Sequence, residues 1–515
     1  MTCVTCSNCG FVNESLLSPN PSSDGLVSEL LRGSRPLLDV DRAFIDAEIT
    51  KLKRLKAWYD DQLQDIQLRR PAVLRELKNC ESIYAPIRRL PRDILIEIFH
   101  SVCDAWWQGV AKQQFKDDVY DPDSLDTTGP LWVLGRVCGL WRDMLHTSPA
   151  SWARYVSVKS PFSERSLHIL RTYLERTAEH PLNLMVFCED NDRSDGEIIS
   201  LLVQHCYRWK NVSMHTVTDH KHRLESIVDL PALQSIELDV DDTYHSDDYC
   251  SDIFLKAPQL WQASSSWHGI HQLMLPSGIT HYSGPITCVE DLQLLSQLPK
   301  LQACRLDFNT RMSAASVDAP MVMSELCQLN ADLDVLNFLT APALRILTIT
   351  TTDSQLELLP TITLFFRRSK CRLESFSMCS MLEKEPSALR NIFSSEGCSS
   401  ISHLRLELSW ICHNVAEALT PSSILPNLHR LDLCFGLQSR RHAETERLAL
   451  LDMICSRCEA GQLKTIGIQF DRGARRDIAA DIRALVGDIL EIRVDKWSSL
   501  YKDQWGLFSN WNLEQ

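Results

Sequence analysis

A short unit, apolar-x-x-apolar-x-apolar, returns throughout residues 159–515 and constrains the fold of this chain more than any other feature. It stands as Leu233-Ile236-Leu238, Leu344-Leu347-Ile349, Leu373-Phe376-Met378, Ile401-Leu404-Leu406, Leu428-Leu431-Leu433, Leu463-Ile466-Ile468 and Ile489-Ile492-Val494. Looser copies are Leu182-Met185-Phe187, Trp209-Val212-Met214, Ile270-Leu273-Leu275 and Leu301-Cys304-Leu306. The alternation that ends each unit has the period of a strand. Its two apolar residues point into a core, and the residues between them point the other way. Successive units lie 24 to 43 residues apart, which leaves room for one strand and one helix. Helical patterns fill several intervals, at 289–298, 325–339, 444–455 and 477–486. A proline precedes several units by two residues, as at Pro231, Pro299, Pro342 and Pro426. One such unit cannot bury its apolar face alone, whereas a stack of them makes a continuous core. The expected fold class is α/β, an irregular solenoid of parallel strands and helices over 159–515.

Upstream of the repeats the chain changes character. Ser, Pro, Asn and Gly cluster between Ser18 and Gly25, with a second break at 33–36, so 1–38 reads as a disordered tail. An amphipathic, coiled-coil-like helix is expected over 39–85. Ile45, Ile49, Leu52, Leu55, Tyr59, Leu63 and Ile66 recur at threes and fours, with Lys51, Lys53, Arg54, Asp60 and Asp61 opposite. That stripe covers about three heptads, enough for marginal self-pairing or for packing on its own chain. Pro71 is expected to end or kink the helix.

Residues 86–158 read as a small helical unit. Its first half is Arg89-Leu90-Pro91-Arg92-Asp93-Ile94-Leu95-Ile96-Glu97-Ile98-Phe99 and its second is Leu134-Gly135-Arg136-Val137-Cys138-Gly139-Leu140-Trp141-Arg142. Pro91 suits the first position of a helix, and Asp93 suits the positive end of its dipole. The acidic stretch 101–128 reads as a loop. A second helix is expected from Pro130 and is stopped by Pro149. Trp152, Arg154, Val156 and Val158 alternate as in a short strand.

This pair of half-motifs resembles the F-box. Leu90-Pro91, Ile98-Phe99 and Val137-Cys138-Gly139-Leu140-Trp141-Arg142 match the family's pattern in order, with Asp93 in place of the more usual glutamate and an insert at 104–128. With the preceding amphipathic helix, the segment is similar to the F-box family expanded in mushroom-forming fungi. The repeats resemble leucine-rich repeats in degenerate form. The asparagine expected after each strand has one good candidate, Asn309. The resemblance implies docking onto the Skp adaptor of a cullin-RING ubiquitin ligase through Leu90, Pro91, Ile94, Leu95, Ile98, Phe99, Leu134, Val137, Cys138 and Trp141. It also implies capture of an unknown protein substrate by the repeats. Outward-facing strand residues, Glu237, Arg305, Arg405, Arg430, Asp432 and Arg493 among them, would do the capturing. The alternative is a repeat scaffold for protein–protein interaction with no ligase role.

Other function classes find little support. A net charge of −14 argues against general affinity for nucleic acid or an anionic membrane. No stretch is apolar for long enough to span a bilayer, and residues 1–20 lack a basic region followed by an apolar run. Nineteen cysteines scattered through apolar segments read as buried thiols in a reducing compartment, cytoplasmic or nuclear. Cys3, Cys6 and Cys9 are one ligand short of a structural zinc site, and no cofactor is expected. His215, His220, His222, His268 and His271 read as loop residues without acidic partners, and the acidic run through Asp239, Asp241, Asp242, Asp247 and Asp248 as a solvated loop. No phosphate-binding glycine loop or nucleophile elbow is present, so the expectation is a protein that is not an enzyme.

Overall fold

The computed structural model describes residues 4–5, 12–13, 21–113, 123–188, 193–217, 220–241, 252–266, 268–308, 319–350, 358–380, 386–408, 412–435, 443–470, 482–485 and 490–496. They fall into two compact units, 1–95 and 96–515.

The second unit is built on a 14-stranded sheet in which strand order follows the sequence. It runs from Val156–Lys159 to Glu491–Lys496, and each neighbouring pair is parallel. Helices such as Ser166–Arg176, Val289–Ser296, Leu358–Ser369 and Ala443–Glu459 lie between strands. This architecture is consistent with the expected repeat solenoid. Leu404, Leu406, Leu431, Leu433, Ile466 and Ile468 are fully buried, so each recurring pair packs against the pairs on either side of it.

The prolines have a specific job. Leu233, Leu260, Leu301, Leu344 and Leu428 each donate a backbone N–H to the carbonyl three residues earlier, at 3.1–3.4 Å. Pro231, Pro258, Pro299, Pro342 and Pro426 occupy the second position of these turns. Proline's fixed φ presets that position, where its missing N–H is not required. The turn then delivers a buried leucine directly before the strand.

Two buried arginines, Arg208 and Arg457, and the half-buried Arg368 join successive layers. Arg208 donates to the carbonyls of Leu174 and Ala178, Arg368 to those of Leu336 and Leu339, and Arg457 to those of Leu419 and Leu425. Each adds hydrogen bonds to carbonyls at the C-terminal end of a helix or turn in the preceding repeat, of which those of Leu174 and Leu425 also accept a backbone N–H. Burial lowers the Arg457 pKa to about 10.

The sequence pattern misplaces several elements. In Leu182–Phe187 the buried residues are Leu182, Leu184 and Val186, so Met185 and Phe187 face the other way. Ile270–Leu273 is a short helix, and the strands in this region are Gln262–Ser264 and His281–Ile286. The stretch 325–339 is strand Gln328–Asp332 followed by the 3-10 helix Leu333–Phe338. Leu329 and Ala331 alternate inward here, and the same residues also fit a helical period. Asn309 lies outside the described residues, as do Ile489 and most of 477–486.

The helical segment departs from expectation too. Helix Arg92–Gln113 runs well into the stretch read as a loop. The expected second helix is two, Pro130–Val137 and Gly139–His146, separated by Cys138 in an extended conformation. Pro149 begins the short helix Pro149–Ala153, which holds Trp152, and the strand starts only at Val156. In the first unit, helix Asp39–Ile83 is 45 residues long and continues through Pro71. Arg35 and the Leu38 N–H both bond the Asp41 carboxylate at its start. Order also begins earlier than the composition implies, with helix Pro21–Leu31.

A packing prediction follows from the stacked core. Leu431→Ala removes a side chain wedged between neighbouring repeats and is expected to destabilise unit 96–515 by about 2–5 kcal/mol. Urea denaturation followed by circular dichroism measures this, and a loss below about 1 kcal/mol would contradict the stacked-core account.

Candidate functional site

Strand register places one position from each of twelve of the fourteen strands on a single line across the sheet. The line passes through Ser213, Glu237, Ser264, Ser283, Arg305, Asn330, Thr348, Ser377, Arg405, Asp432, Gly467 and Arg493. Five of the six residues selected from sequence for capture lie on it. The sixth, Arg430, sits two residues before Asp432 on the same face.

Much of the charge on this face is paired internally. Ser213 donates to Glu237 at 2.8 Å, and burial pushes the Glu237 carboxyl up. Arg305 lies 3.7 Å from Asp307, and Arg493 lies 2.8 Å from Glu491. His403 and Arg430 converge on Asp432 at 2.7 and 2.9 Å. Burial alone would raise the Asp432 carboxyl, but those hydrogen bonds hold it below its ordinary value. A Cβ at Gly467 would collide with the Asp432 carboxylate, so the missing side chain makes room for this cluster. Asn330, mid-line and 1% exposed, finds no hydrogen-bond partner for either side-chain atom among the described residues. Sequence reasoning missed Asn330 because the strand carrying it was read as helix.

The ten residues selected for adaptor docking separate by exposure. Pro91 is exposed, and so are Ile94 (45%), Ile98 (36%) and Val137 (55%). Leu90, Leu134, Cys138 and Trp141 are half-buried. Leu95 and Phe99 are fully buried. They lie with Cys103 on the inward face of helix Arg92–Gln113, while Ile94, Ile98 and Val102 follow at the same four-residue spacing on a face that stays open. Phe99 packs on Trp141 with ring centroids 4.8 Å apart. Arg142 donates to the Gly135 carbonyl, bridging the break at Cys138.

From residue 96 onward this helical segment is one body with the repeats. Ser124 exchanges hydrogen bonds with the backbone of Ser157 in the first strand of the sheet. Asp104 holds Arg154 through two hydrogen bonds, and Arg176 lies over both Trp132 and Trp152 at 4.6 Å.

One cluster contradicts the sequence reading of the histidines. His271 does have an acidic partner, Asp291, at 2.7 Å, with the Cys288 sulfur 3.4 Å from the same imidazole nitrogen. Such a trio has the chemistry of metal ligands. Asp291, however, already accepts hydrogen bonds from the His271 backbone and ring, the Thr287 backbone and hydroxyl, and the Cys288 backbone. Its lone pairs are committed to closing the start of helix Val289–Ser296 onto the 269–273 turn. The signal for this was present in sequence as a capping residue three positions into a helix.

The remaining metal and thiol expectations resolve simply. Cys3, Cys6 and Cys9 lie outside the described residues. The described cysteines are free, and burial pushes Cys188 and Cys398 up to about 12 and Cys371 up to about 11, as befits packing groups rather than nucleophiles. His268 is buried and bonds the Val240 carbonyl. Among the described residues no helix is long and apolar enough to cross a membrane. No protein-family model matches the chain, and a search of curated proteins finds no match.

The Asp291 cluster gives a signed pH prediction. Burial would raise its carboxyl, but the bonds from His271 and Thr287 hold it at about 2, while the same contact raises His271. The Asp291 contribution is complete above its unfolded pKa near 4 and is lost as pH falls toward 2, a change of about 2 kcal/mol. The His271 contribution is complete below about 6.5 and is lost as pH rises through its folded pKa. The stability advantage of the wild type over Asp291→Ala is therefore expected to peak near pH 5. Denaturant melts between pH 2 and 8 measure it, and a pH-independent difference would refute the assignment.

Proposed function

We propose that this protein is a substrate receptor of a cullin-RING ubiquitin ligase. The helical segment docks on the Skp adaptor, and the outward line of the sheet captures a protein substrate. The observation that carries the reading is the exposure of Ile94, Ile98 and Val137 within the two half-motifs that resemble the F-box. An apolar side chain left in water on a well-packed helix gains about 1.5–3 kcal/mol when a partner covers it. Leu95 and Phe99 then serve the fold, and docking falls to Pro91, Ile94, Ile98 and Val137 with the half-buried Leu90, Leu134, Cys138 and Trp141.

The capturing face is mixed in sign, which suits a protein surface better than nucleic acid. Its paired charges set a pattern for a partner to match.

Co-purification with the Skp adaptor tests docking. Because Ile94 and Ile98 are exposed, Ile94→Asp with Ile98→Asp is expected to leave the melting temperature unchanged while weakening adaptor binding by about 100-fold or more. Undiminished binding would overturn the ligase reading and favour a repeat scaffold acting by itself.

A further inference from the structure

Helix Asp39–Ile83 carries a long apolar seam that stays open within its own unit. Ile45, Leu52, Tyr59, Ile66, Val73 and Cys80 recur every seven residues. Ile49, Lys56, Leu63, Arg70, Leu77 and Tyr84 recur every seven residues, four positions further on. Two such rows, interleaved at fours and threes, are the two core rows of a coiled coil. Because the helix continues through Pro71, the seam is twice the length that the sequence stripe implied, and Pro71 falls outside both rows. The apolar members from Ile49 to Tyr84 are between 43% and 73% exposed.

We propose that this helix pairs with the same helix of a second copy of the chain, in antiparallel orientation. Knobs-into-holes packing needs a partner helix with the same seven-residue repeat and comparable length, about 67 Å at 1.5 Å per residue. Among the described residues the next longest helix has 22 residues, so a second copy supplies the match. The two cations within the seam set the direction. Parallel pairing would face Lys56 with Lys56 and Arg70 with Arg70 across the core, with Glu76 beside Glu81. It would gain Glu48 beside Lys53, a rim pair of little worth. Antiparallel pairing over the full length sets Lys56 against Val73 and Arg70 against the Tyr59 ring. There the stems cover apolar surface while the charged ends reach water or the ring face. It sets Leu63 against Ile66 and Ile49 against Cys80, and leaves one like-charge flank, Asp46 beside Glu81. The resulting assembly displays two repeat arrays, so a substrate with two binding segments is held by both.

Sedimentation of the full-length chain across the micromolar range tests this. A dimer is expected, with Leu63→Glu plus Ile66→Glu raising the dissociation constant by about 100-fold or more, and with Arg54→Glu on the outer face leaving it unchanged. In the Ile49→Cys variant, mild oxidation is expected to join position 49 to Cys80 of the other copy. A monomer at every concentration, or a cross-link between Cys80 and Cys80, would overturn the proposal.

Discussion

Every strand of the sheet depends on its neighbours for its backbone hydrogen bonds, and the rest of the structure follows from that dependence. A parallel strand of about six residues cannot close its N–H and C=O groups on itself or on a hairpin partner. Each needs a copy of itself on both sides at the same register. The chain meets this need by repeating one local recipe: a turn that places a leucine in the core, then a strand with two inward residues, then a return segment. Where the return is a helix, as at Ser166–Arg176, Leu358–Ser369 and Ala443–Glu459, each layer must still be tied to its neighbour. Arg208, Arg368 and Arg457 reach back to backbone carbonyls of the preceding repeat. A buried guanidinium costs desolvation, which fixed carbonyl acceptors offset. Successive layers are thus joined by polar as well as apolar contacts.

A row of parallel strands has two ends, and an open edge invites pairing with another chain. The helical segment meets the first edge. Ser124 supplies both a donor and an acceptor to Ser157, and Trp132, Trp152 and Tyr173 pack beside the first strand, with Trp152 5.1 Å from Tyr173. Repeat arrays require capping units of this kind at their ends. The insert that lengthens this segment therefore does structural work: helix Arg92–Gln113 brings Asp104 to Arg154 and Trp107 to Tyr155.

The alternation of Leu404, Leu406, Leu431 and Leu433 made the repeat legible because apolar burial and strand period coincide there without ambiguity. Legibility failed where a different residue type did the same job. Gln262–Ser264 pairs in the sheet through Gln262, Ala263 and Ser264, residues with no apolar signature. Yet Pro258 announces it through the same turn that precedes its neighbours. In Leu182–Phe187 all but Asn183 are apolar, so the sequence could not say which alternate set faces inward. Pro71 misled in the other direction. One missing backbone hydrogen bond does not end a helix whose remaining residues favour it. The line of outward residues was recoverable because the position between two buried residues is fixed by geometry. Its cross-strand pairing, such as His403 on Asp432, was not, since it joins residues 29 positions apart in sequence.

Burial divides the apolar residues of helix Arg92–Gln113 into two sets that a linear pattern records as one. On helix Arg92–Gln113 the apolar positions occupy two adjacent stripes. Leu95, Phe99 and Cys103 are buried, whereas Ile94, Ile98 and Val102 are exposed. A single amphipathic stripe would have sufficed to fold the helix onto its own chain. The second stripe gives the fold nothing and costs exposure to water at each side chain. Under the proposed docking, a partner would cover this stripe. The same logic applies to the seam of helix Asp39–Ile83, where the apolar positions keep a seven-residue spacing that a lone solvated helix has no reason to keep.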